Sequence, residues 1–115
     1  MIICVTSQGT NLDSEIDPRF GRCAYFLFIN PETMEFEAMK NESAAASGGA
    51  GAKAGQLLAD KNVEALLTGN VGPNAFEALH AADIKIYTGV NGKVKDVVNQ
   101  FINNAFSATD QPTTG

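Results

Sequence analysis

Two arginines, two cysteines and one histidine are all that this 115-residue chain has of those types. A closed metal site of protein ligands takes about four donors. One histidine, with Cys4 locked in an apolar run and Cys23 alone elsewhere, cannot supply them. The cysteine spacing matches no zinc or redox motif, so both are expected as free thiols. No apolar stretch approaches the ~20 residues of a membrane span. Met1 opens directly into a short apolar run with no basic lead, so a cytoplasmic protein without a signal peptide is expected.

Positive charge is scarce too. Thirteen acidic residues against eight basic ones leave a net charge of −5. That balance lacks the basic face of a nucleic-acid or membrane-surface protein, though it permits one small anion at a local basic site. Catalytic patterns are also missing: no Ser–His–acid spacing, no P-loop, and no carboxylate in mid-strand to hold a reactive metal. The chain reads as a non-catalytic protein.

What is present is enough for one domain with its own core. Residues 1–106 are expected to form it, with 107–115, "SATDQPTTG", as a disordered tail. Apolar β-branched runs predict strands at 1–6 ("MIICVT"), 24–30 ("AYFLFIN"), 63–68 and 84–88, and imperfect alternation predicts an edge strand at 35–41. Helices are predicted at 50–61, from Pro73 to about Ala82, and from Val94 to Ala105, the last with a regular i, i+3, i+4 apolar stripe. The order β-β-β-α-β-α-β-α implies a mixed sheet with helices on its faces.

Right-handed crossovers make the first, fourth and fifth strands parallel, and a hairpin makes the second antiparallel. Loops 7–23, 41–50, 69–73 and 89–92 then emerge at one edge, three of them feeding helix N-termini that attract anions. "DPRFGRC" (17–23) lies there with both arginines. Arg19 and Arg22 are either an anion clamp, helped by amides at Gly21, Gly48, Gly49 and Gly72, or pins of the loop through Asp13, Glu15 or Asp17. Phe20 offers apolar contact and Lys53 a further cation, with Asn70 and Asn74 as polar rim. Cys23 is a candidate soft-metal ligand or a small buried residue entering a strand. His80, near the end of its helix, is a weak metal candidate that also suits the helix dipole. Gly49-x-Gly51-x-x-Ala54 is a loose dinucleotide fingerprint, out of its usual context.

"DPRFGR" after a first strand, the small-residue loop before the first helix and "TGNVGPNAF…IKIY" together resemble the dinitrogenase iron–molybdenum cofactor biosynthesis family, from Met1 to about Phe106. The resemblance extends to its small orange-protein subgroup of sulfate-reducing bacteria. It implies a three-layer α/β/α, ribonuclease-H-like fold whose five-stranded mixed sheet has one antiparallel strand. It further implies a carried metal–sulfur cluster containing molybdenum, of the molybdenum–copper sulfide or iron–molybdenum precursor type, held non-covalently. Docking on a P-loop ATPase or a cofactor-assembly protein is the alternative it allows. A small phosphate-ester or nucleotide enzyme using the glycine-rich loops is a third reading.

Overall fold

Every second residue of the apolar strands must point to the same side of a sheet, so strands apolar throughout require cover on both faces. That is how the chain folds. The structure, a computed structural model, describes residues 1–44 and 48–113. Its strands are β1 (Ile3–Ser7), β2 (Tyr25–Ile29), β3 (Phe36–Lys40), β4 (Ala65–Leu67) and β5 (Lys85–Tyr87). Its helices are α1 (Ala50–Asp60), α2 (Pro73–Ala81) and α3 (Val94–Ile102). The sheet order is β3-β2-β1-β4-β5. β2 is antiparallel to both neighbours, while β1, β4 and β5 run parallel. The mixed sheet with one antiparallel strand therefore stands as expected.

Cys4, Phe26, Phe28, Leu66 and Ile86 share a core with Ala54 and Leu58 of α1 and Ala75 and Leu79 of α2. Their strand neighbours Ile3, Val5, Leu27, Ile29, Ala65 and Leu67 pack with Val94, Val97 and Val98 of α3. Two helices thus cover one face and one covers the other.

All three helices stop in the same way. Asn62, Asp83 and Asn104 adopt positive φ (58–59°) just past the C-caps. The following amides of Val63, Ile84 and Ala105 then reach back to the carbonyls of Leu58, Leu79 and Gln100. This is the Schellman closure, with Asn or Asp in the place where glycine is commonest. It ends α3 at Ile102, three residues before the apolar stripe runs out.

Residues 107–113, expected as part of a disordered tail, are tied to the sheet. The Thr109 amide donates to the Ile86 carbonyl at 2.6 Å, and the Thr113 amide to the Val71 carbonyl at 2.9 Å. Thr113 Oγ1 in turn accepts from the Val71 amide at 2.9 Å. The segment covers the outer edge of β5 and ends at the 69–73 loop.

Candidate functional site

Three helix N-termini reach the carboxyl edge of the sheet, and among the described residues only that of α3 is closed by other segments. The first amides of α3 are taken: Val94 donates to Ser14 and Lys95 to Leu12, both at 2.9 Å. Gly49 and Gly72 cap α1 and α2 without any side-chain hydrogen bond, and neither helix carries an acid in its first turn. Uncapped amides and the helix dipole leave positive potential there.

Small residues bring these two termini together. A Cβ on Gly51 would lie 2.9 Å from the Ala75 Cβ, and one on Gly55 2.9 Å from that of Ala78. The "GAKAG" glycines are therefore spaced by one helical turn for close packing of α1 on α2. The loose dinucleotide fingerprint read there is a packing device. Gly21 is equally constrained, since a Cβ would fall 2.9 Å from the Gly51 backbone nitrogen. The 17–23 loop consequently lies directly on the first turn of α1.

The result is a cleft of about 260 Å³ lined by Gly21, Arg22, Gly49–Ala52 and Gly72–Ala75. Among the described residues, Arg22 is its only charged lining residue and no carboxylate borders it. Arg22 Nη1 donates to the Ala44 carbonyl at 2.7 Å, which ties the guanidinium to the loop before α1.

The two arginines make different contacts. Arg19 pins the loop: its Nε and Nη2 each lie 3.2 Å from the Asp17 carboxylate. Asp17 is only 2% exposed. Its carboxylate also accepts from the backbone amides of Arg19 and Ala24, and its carbonyl accepts from Thr6 Oγ1 at 2.6 Å. The carboxylate raises the Arg19 pKa through these bonds. Asp13 pairs instead with Lys95 Nζ at 2.8 Å.

Other residues singled out from sequence fall elsewhere. Phe20 is buried and meets Phe26 edge-on at 6.0 Å, so its ring anchors the loop in the core rather than facing a ligand. Cys23 is fully buried beside Asn41, and burial, then the Asp17 charge, pushes its thiol up to about 12. Burial likewise raises Cys4 well above its ordinary value. Neither thiol lines the cleft. Asn70 uses its backbone, donating to Pro18 and accepting from Phe20. Gly48 does not line the cleft, whereas Gly49, Gly72 and Asn74 do. Lys53 borders a neighbouring cavity of about 470 Å³ floored by Phe26, Met39 and Leu57. His80 stacks on Phe76 at 5.8 Å in the last turn of α2, at the end away from the cleft. Among the described residues no three His, Cys, Asp or Glu side chains converge as metal ligands. No described helix is long and apolar enough to cross a membrane.

Fold and cleft together define a small α/β protein with a cleft between two helix N-termini at the carboxyl edge of its sheet. The chain belongs to the dinitrogenase iron–molybdenum cofactor family, whose sequence profile matches residues 1–104. The resemblance read from "DPRFGR" and "GNVGPNAF" therefore holds. In structure the chain is similar to the apo form of the orange protein from Desulfovibrio gigas, with a TM-score of 0.95 and 41% identity over 98% of this chain and 96% of that one. It is similar also to a NifB-like protein from Thermotoga, of the DUF35 family, with a TM-score of 0.82 and 34% identity over 97% of each chain. By sequence it is 25% identical, over 93 residues, to an uncharacterised protein of Methanocaldococcus jannaschii, which covers 78% of this chain and 79% of the relative.

Proposed function

We propose that the chain is a non-catalytic carrier of an anionic metal–sulfur cluster containing molybdenum, held non-covalently in the cleft at the α1 and α2 N-termini. One observation carries this reading. In a chain of net charge −5, the cleft has among the described residues a guanidinium and two helix starts without side-chain caps, but no carboxylate.

The chemistry of such a cargo suits this donor set. A thiometallate is a polarisable anion whose metals are already saturated by sulfide. It needs hydrogen-bond donors and positive potential rather than side-chain ligands. The amides of Ala50, Gly51 and Ala52 in α1 and of Asn74 and Ala75 in α2 provide the first. Arg22 provides the second, and such a cargo asks no ligand of the buried thiols. The family supports molybdenum in the cargo. The orange protein, with the same fold in its apo form, supports a scaffold that stands without it. Molybdenum–copper sulfide and an iron–molybdenum cofactor precursor both have the required charge.

Anaerobic addition of tetrathiomolybdate, with and without copper(I), tests the proposal. Protein-bound visible absorption should survive gel filtration. Arg22→Ala should weaken binding by about tenfold, as expected for one lost charge-assisted contact. Arg19→Ala should leave binding within about threefold while lowering stability, because its guanidinium bonds Asp17. Absence of bound colour, or wild-type binding by Arg22→Ala, would overturn the reading.

A further inference from the structure

The opposite edge of the sheet has a different character. The three exposed large apolar side chains among the described residues are Met1 (57%), Phe36 (39%) and Ile102 (47%). All lie where β1 and β3 begin and α3 ends. Met1 and Ile102, with Pro31, Glu32, Tyr87 and Phe101, border a groove of about 610 Å³. Scattered apolar residues need no explanation, but two of the three, Met1 and Ile102, meet on one groove, as exposed apolar side chains do at interaction surfaces.

Charge gathers at the same edge. Element order places Glu32, Glu35, Glu64 and Asp83 there, against Lys85, with Glu37, Asp60 and Lys61 at the same edge on the α1 face of the sheet. Lys61 is already engaged with Glu37 at 3.2 Å. Glu32 borders the groove itself, and Glu35 is held beside it in the same turn by a 2.9 Å bond between its carbonyl and the Asn30 amide.

We propose that this edge docks a partner protein through a basic amphipathic segment, with apolar side chains in the groove and Lys or Arg on the surrounding carboxylates. Complementarity of charge selects this occupant. A second copy is disfavoured, because a two-fold contact buries the same patch on both chains and so brings one acidic surface against another. The strands hold this surface about 17 Å from the cleft edge, five residues at about 3.3 Å each. A partner can therefore sit here while the cleft stays open.

The test uses the full chain, isotope-labelled for NMR, and two synthetic peptides. In both, leucines share one helix face; lysines cover the other face in one peptide and glutamates in the second. The lysine peptide should shift the amide resonances of Glu32, Phe36, Ile102 and Asn104, and the glutamate peptide should not. Ile102→Asp and Glu32→Lys, each checked for folding by circular dichroism, should weaken binding by about fivefold or more. No binding, shifts confined to other surfaces, or affinity unchanged in both variants would refute the proposal. So would a wild-type dimer in sedimentation that Ile102→Asp dissociates, since the groove would then be a self-interface.

Discussion

Asp17 carries more of the loop's structure than its size suggests. Its carboxylate accepts from Arg19 Nε and Nη2 and from the amides of Arg19 and Ala24, all at 3.1–3.2 Å. Asp17→Asn puts donors where these hydrogens point, and should cost about 2 kcal/mol in urea unfolding, the scale of a mispaired buried polar group. Cys23 gives a pH-dependent counterpart. Its folded thiol titrates near 12 against an ordinary 9.0, so the native state keeps a proton that the unfolded chain releases. Stability is therefore fully present below about pH 9 and declines as pH rises toward 12. Cys23→Ala should lessen that alkaline decline in denaturant midpoints, with the part due to buried Cys4 remaining. Iodoacetamide at pH 8 should modify neither cysteine in native protein and both in urea.

At the scale of elements, the meeting of α1 and α2 is the step that makes the cleft. Gly51→Ala gains about 1 kcal/mol of helix propensity, but its Cβ would meet Ala75 at 2.9 Å. The helices must part, so we expect a lower melting temperature and weaker tetrathiomolybdate binding. Ala75→Gly in the same chain should restore the binding. Helix ends offer a gain instead. Asp83 places a carboxylate beyond the C-terminus of α2, against the negative end of the dipole. Asp83→Asn keeps the left-handed turn and should stabilise by about 0.5 kcal/mol, or about 2–4 °C in melting temperature. The strands and helices themselves were legible, because their apolar periods are unambiguous. The end of α3 was not: the apolar stripe continues to Ala105, while Asn104 closes the helix through its own φ of 59°. "GAKAG" was visible, but its small-residue spacing gains meaning only once Ala75 and Ala78 are known to face it.

Across the whole molecule, the C-terminal segment joins parts far apart in sequence. Thr109 bonds to Ile86 and Thr113 to Val71, in the loop that starts α2 beside the cleft. Removing residues 107–115 should bare the β5 edge and free the Val71 amide. Hydrogen exchange at Val71 is expected to rise by about tenfold or more relative to the full chain, as protection by a local opening is lost. Nothing in "SATDQPT" announces this docking, because its polar residues pair with backbone groups that only the folded sheet presents.

The sequence by itself determined the element order, the single antiparallel strand and the edge at which "DPRFGRC" lies. Apolar period and crossover handedness are local or near-local constraints, and they leave little choice. Tertiary structure alone decided which arginine faces the cleft and which binds Asp17. It also buried Phe20 and Cys23 and closed the α3 N-terminus with the Leu12 and Ser14 carbonyls. Each of those outcomes depends on hydrogen-bond partners and close contacts between segments that only packing brings within reach.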